Sequence, residues 1–305
     1  NNQGRVQFAM NQNNHSRLSH LAPYVFFLAP LAAFLCLYYP VITKLISDWN
    51  ADPNYSHGFF IPFLSAFMVW IQRERLNQAV KSPSNFGLLL VLFGLLQLTV
   101  AWVGSEYFLQ GTSIILVLAG SVLYLWGWNV AALALIPIVY LIFMVPLPAI
   151  IWNKLAFPMA LFASKIAADV TSGLGLSILR EGNILTLPNI TLQVADACSG
   201  LRSLTTMLAL SAFVAFISDH PAIKKWILFA AGVPIALLSN IIRLTGTALL
   251  ARHFGAPVAH GFIHDFSGWV VFVLGLAMLL GVNAVLGMGV RTEKVDTSKD
   301  EGPGK

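Results

Sequence analysis

Charge is what this sequence has least of. Of its 305 residues only 10% are Asp, Glu, Lys or Arg, while 57% are hydrophobic. A soluble domain carries about 25% charged residues, so an all-round water-facing surface is excluded. Cysteine is scarce as well. The two present, Cys36 and Cys198, are too few for a disulfide framework. Cys36 sits in the string FLCLYY and reads as a small buried hydrophobe. There is no low-complexity linker, no clear internal repeat and no long polar domain. The net charge of +5 is not a nucleic-acid footprint, because the basic residues lie in short loops and at the tail. No nucleic-acid partner is expected.

What the chain has is a succession of apolar runs, many near the roughly 20 residues that cross a bilayer. The expected fold class is an all-α integral membrane protein, a polytopic bundle of about eight transmembrane helices. The segments lie near 24–46, 58–72, 87–103, 112–127, 130–147, 199–217, 226–249 and 266–287. The second and fourth are short, and Trp70 and Trp126 beside them fit an interfacial belt. An amphipathic stretch over 150–176 carries Lys154, Lys165 and Asp169; it lies along the interface, re-enters the membrane or adds a pass. Residues 180–197 alternate apolar and polar and read as a short extended or hairpin segment ahead of Cys198. Three parts are expected: a disordered tail over 1–20, partly a tag or an altered start; one transmembrane domain over 21–290; and a C-terminal tail over 291–305.

Lys and Arg set the orientation. Arg73, Arg75, Lys81, Lys224 and Lys225 join the basic tails on one side, against Lys154, Lys165, Arg180 and Arg252 on the other. Both termini are therefore expected to be cytoplasmic.

Polar groups where lipid makes them costly are functional candidates. In the string Asp196-Ala197-Cys198-Ser199-Gly200-Leu201-Arg202, an extended segment gives way to an apolar helix. Asp196 suits an N-cap. Cys198 then falls in the first helical turn, where the dipole favours a thiolate, and Arg202 one turn on adds positive potential. The plain alternative is an inert small residue at a capped helix start, with Arg202 snorkelling. Asn240 and Arg243 share a helix face inside VPIALLSNIIRLTGTALL. An Arg at mid-membrane costs at least ~2.5 kcal/mol on insertion scales. Its guanidinium could serve a developing oxyanion or a substrate carboxylate, or a structural ion pair with Asp196 or Asp265. His264 begins the last run and suits a general acid or base, with Asp265 beside it to orient it; an interfacial role is the alternative. In the expected topology Cys198, Arg243 and His264 arrive from three helices at one face, the inventory for acyl transfer. His253, His260 and His264 lack the string of a zinc peptidase, and no metal or cofactor is expected.

These motifs resemble those of the exosortase/archaeosortase family. VADACSGLRSL, NIIRL and HDFSGW are similar to its three polar motifs. DPNYSHGFFIP with VWIQRERL resembles its first loop and second span, and REGNILTLPN is also family-like. The resemblance covers about 48–285. It implies a membrane-embedded cysteine transpeptidase or protease with Cys198, Arg243 and His264 at its centre and no chemistry known for His57, in YSHG. It implies partners that are membrane-anchored proteins with a C-terminal sorting signal: a short motif, often Pro-Glu-Pro (PEP-CTERM-like), a transmembrane helix and a basic tail. It further implies a thioester acyl-enzyme, the bacterial inner membrane with a periplasmic active site, and a link to exopolysaccharide and biofilm systems. The rival reading is a transporter, or a scaffold for exopolysaccharide assembly, with no cysteine chemistry.

Overall fold

The computed structural model describes residues 30–187, 190–193, 201–254 and 262–291. The chain divides into two units at Ser47 and Asp48. The first contains most of helix α1, Pro30–Ala51. Within α1 the Thr43 hydroxyl donates back to the Tyr39 and Pro40 carbonyls, so this polar side chain costs the apolar helix little. Cys36, expected to be buried, is exposed on α1. Its position on an apolar helix surface needs no polar partner.

The second unit is helical apart from one small sheet. A 3-10 helix over Pro53–Phe59 leads into α2, Ile61–Ile71. Then come α3, Arg73–Gln78; α4, Asn85–Val103; α5, Tyr107–Trp126; and α6, Trp128–Tyr140. A 3-10 turn over Leu141–Met144 prolongs α6. After Pro146 and Pro148 the chain restarts as α7, Ala149–Gly173, at 82° to the preceding segment. Strands β1, Leu179–Glu181, β2, Ile184–Leu187, and β3, Ile190–Gln193, form an antiparallel meander. Helices α8, Leu201–Ile217, α9, Ala222–Phe254, and α10, Phe262–Arg291, complete the unit.

Among the described residues five helices are long and apolar enough to cross a membrane, six if α6 and α7 form one broken span. The expected segments at 58–72 and 199–217 are represented by α2, with 11 residues, and α8, with 17. At about 1.5 Å per residue both fall short of a ~30 Å hydrocarbon core. The 150–176 stretch is helical over Ala149–Gly173 and leaves a sharp break, as a broken span or a re-entrant course would.

Side-chain contacts fix which ends meet. His57 approaches Thr206 and Phe67 approaches Phe213, so α2 and α8 run parallel. Ser65 of α2 and Gln72 just after it reach Pro137 and Leu133 of α6, an antiparallel pairing. Ser82 bridges to Gly127, and Lys224 at the start of α9 reaches the Leu286 carbonyl near the end of α10. One end of the bundle therefore gathers Arg73, Arg75, Lys81, Lys224 and Lys225. Trp70, Trp128 and Trp226 are exposed at this basic end, while Trp102 and Trp269 are exposed at the other. That arrangement suits two interfacial belts.

The meander forms where the sequence alternates. Gly182 takes φ +65° in the tight turn between β1 and β2, a backbone region that glycine enters without strain. Leu185 and Leu187 of β2 are buried, whereas the residues between are half-buried. The structure adds a third strand to the expected hairpin.

Candidate functional site

The three helices carrying the polar motifs pack on one another. Leu204, Met207 and Val214 of α8, Leu228, Ile235 and Ala236 of α9, and Leu279 of α10 share one core. Gly275 permits a close approach. A Cβ there would lie 2.6 Å from the Met207 methyl and 3.2 Å from Ser239 Oγ, so α8, α9 and α10 meet at this level.

Their register sets the heights. Ser211 Oγ donates to the Phe229 carbonyl at 3.1 Å across α8 and α9. Carried back along both helices at the shared rise of about 1.5 Å, Leu201 lies level with Ser239, and Arg243 stands about 6 Å beyond. On α10 the His264 backbone lies about 16 Å beyond Gly275 in the same direction. His264 thus starts about 10 Å farther from the basic end than Arg243.

Around Arg243 the surface of α9 is polar and enclosed. Asn240 is 2% exposed and Arg243 is half-buried, and both side chains are engaged rather than free. The Ser239 and Thr245 hydroxyls, and that of Thr171 on α7, are buried with no hydrogen-bond partner among the described residues. Such groups are costly in a low-dielectric interior. The buried face of α7 is small: Ala160, Ala163, Ser164, Ala167, Ala168 and Thr171 let its backbone approach α9. The meander lies against the same stretch, with Leu185 clustered with Ile241 and Leu244 and Leu187 with Ala248. Strand β3, which leads toward Cys198, pairs with β2 and so follows one strand away from these contacts.

Cys198 and Asp196 lie outside the described residues, as does His260. Arg202 is the second residue of α8, and His264 and Asp265 are the third and fourth of α10. Among the described residues no group of His, Cys, Asp and Glu could hold a metal.

His57 has the best-defined surroundings of the sequence candidates. Its Nε2–H donates to the Phe143 carbonyl at 3.2 Å, which leaves Nδ1 of the neutral ring facing the Thr206 hydroxyl at 3.5 Å. Burial holds its pKa below the ordinary histidine value, while the Phe143 and Asn54 carbonyls pull the other way.

Neighbouring residues show the same logic, and sequence reasoning passed over them. Pro137 has no N–H for the Leu133 carbonyl, and Gln72 Nε2 supplies one at 3.1 Å. Trp49 Nε1 donates to the Met144 carbonyl at 2.8 Å, and Tyr55 faces that of Leu147 at 3.5 Å. The carbonyls freed where α6 ends are thus met by side chains from the other side of the first loop, as non-helical backbone at membrane depth requires. The prolines at 137, 146 and 148 were the available signal.

The transmembrane exosortase family matches the chain over residues 49–281. The chain belongs to that family. The match runs from the last residues of α1 through the helix break and the meander into α10. Membership supports a role as a membrane sorting transpeptidase. Neither the search of curated proteins nor that of solved structures gives a match.

Proposed function

We propose that this exosortase is a cysteine transpeptidase or protease that cleaves the C-terminal, PEP-CTERM-like sorting signal of membrane-anchored exported proteins. The site faces the periplasm at the bacterial inner membrane, and the system serves exopolysaccharide and biofilm assembly. The transmembrane domain is 21–290, with both tails cytoplasmic. The observation that carries the reading is the register of α8, α9 and α10. It sets Arg243 just beyond the level at which α8 begins, and Cys198 precedes that start by three residues.

The chemistry follows from the groups. The Cys198 thiol gives its proton to His264, and the thiolate attacks the scissile carbonyl carbon. Arg243 stabilises the oxyanion, with Asn240 beside it on the same face. The C–N bond breaks, the leaving amine takes the proton from the His264 imidazolium, and the acyl group stays on sulfur as a thioester. An incoming amine or water then loses a proton to His264, attacks the thioester and releases the thiolate. Asp196 caps the helix start, Arg202 favours the thiolate, and Asp265 orients His264. The greater height of His264 suits it to meet water or an acceptor arriving from the aqueous side. His57 supports α8 from beneath.

Co-expression with a tagged substrate bearing such a signal tests the proposal. Cleavage is expected to vanish in Cys198→Ala and to survive in Cys36→Ala. Unimpaired cleavage in Cys198→Ala would reject it in favour of a transporter or scaffold.

A further inference from the structure

Helix α7 borders a cleft that none of this chemistry uses. It encloses about 560 Å³ and is lined by Asn153, Lys154, Phe157 and Pro158, with two alanines of α7, and by Asn183 from the β1–β2 turn. Two features open it. Pro158 has no N–H for the Lys154 carbonyl, which interrupts the helix ladder at this point. The turn is held across α7 by the Ser164 hydroxyl, which donates to the Gly182 carbonyl at 3.2 Å.

Lys154 is the one charged residue of the lining, and no carboxylate opposes it. Its ammonium makes no hydrogen bond or ion pair among the described residues. Lys224 and Lys225, by contrast, both cap helix carbonyls. The cleft is therefore a site of net positive charge with two carboxamides to donate hydrogen bonds. Its other wall is apolar and open: Phe157 is 58% exposed, and Ile150, Ile151 and Leu155 on the same helix are exposed too. Leading away from the break at Met144–Pro148, α7 packs Trp152, Ala156 and Met159 on the α8–α9–α10 core and then passes beside Ile241 and Leu244 of α9, with its opposite face left open.

We propose that this cleft binds the phosphate of a membrane phospholipid, with Lys154 as counter-charge, Asn153 and Asn183 as donors, and an acyl chain laid on Phe157 and Pro158. A soluble anion would gain nothing from the apolar wall, and an uncharged lipid would gain nothing from Lys154. The bound lipid would pin α7, and with it the meander tip, at a fixed depth.

Native mass spectrometry of the purified full chain tests this with three probes: phosphatidylglycerol, diacylglycerol with the same chains, and inorganic phosphate. The wild type should bind phosphatidylglycerol at this site, and Lys154→Gln should weaken that binding about tenfold, the worth of one charge-assisted hydrogen bond. Lys154→Arg should retain it. Lys165→Gln, which removes an exposed cation of α7 outside the cleft, should leave it unchanged. If Lys154→Gln does not fold, Asn183→Ala serves as a milder variant, with a smaller loss expected in the same direction. Equal binding of diacylglycerol would overturn the proposal. So would equal binding of inorganic phosphate with the same Lys154 dependence, and so would undiminished lipid binding in Lys154→Gln. None of these readouts depends on peptide cleavage.

Discussion

Gln72 donates its carboxamide N–H to the Leu133 carbonyl at 3.1 Å, and Leu133 is the residue that Pro137 deprives of its helical partner. Gln72 and Leu133 lie 61 positions apart in the sequence, at the C-cap of α2 and within α6. Gln72→Leu keeps the side chain's bulk and removes the donor. Leaving this part-buried carbonyl unmet costs about 1 kcal/mol, the lower end of the range for buried groups. A lower unfolding midpoint in detergent is expected, and an unchanged midpoint would show the bond to be incidental.

His57 predicts a pH dependence. Its pKa in the folded protein is held below the ordinary value, mainly by burial. Between the two values the unfolded chain binds more protons than the folded one, so stability rises with pH across that window. The contribution is complete above about 6.5, the unfolded value, and is lost as pH falls through the folded one. His57→Gln should flatten the dependence of the thermal midpoint over this acidic range. A wild-type midpoint that does not fall on acidification would contradict the assignment of a neutral ring.

Gly275 predicts a graded steric series. A Cβ would meet the far end of the Met207 side chain, which can swing aside. Gly275→Ala should therefore cost little, about 1 kcal/mol, in line with mild overpacking. Gly275→Leu has no such escape from Met207 and Ser239 and should sharply reduce folded protein. Adding Met207→Ala should recover part of the loss, measurable as monodisperse yield.

Arg243 predicts a catalytic effect that separates shape from charge. Lys preserves the charge but not the planar fork. Loss of one oxyanion donor costs about 10²–10³ in rate, so Arg243→Lys should cut cleavage by about that factor while the protein stays folded. Activity within a few-fold of wild type would assign Arg243 a structural role.

The long apolar helices were legible because hydropathy reports them directly. The start of α5 was not. The expected segment began at 112, yet Gln110 ahead of it is buried in the helix, donating to the Ala101 carbonyl, and Ser113 donates to that of Gln110. Internal hydrogen bonds make those polar residues compatible with a membrane helix, and composition cannot show them. The break between α6 and α7 was legible in place, as the end of one segment at 147 and a separate stretch from 150, but its 82° angle was not. Its prolines are visible, but the bend depends on donors from Trp49, Tyr55 and Gln72, which are distant in sequence. At the candidate site, residue types at helical spacing singled out Asn240 and Arg243. The contact of His57 with Thr206 arises only when the first loop folds onto α8.

The length of α9 changes how its arginine should be regarded. With 33 residues it is about 50 Å long, against a hydrocarbon layer of about 30 Å. To stay submerged it would have to lean by about 53°, beyond the 0–40° that membrane helices show. Part of it must therefore project into the headgroups or the water beyond. From Lys224, anchored at the basic end, to Arg243 the helix climbs about 28 Å, almost the full thickness of that layer. An upright α9 with Lys224 at the near boundary would put Arg243 at the far shore of the bilayer rather than in its middle. A guanidinium there escapes most of the penalty of immersion, and a polypeptide emerging from the membrane would pass it at the boundary.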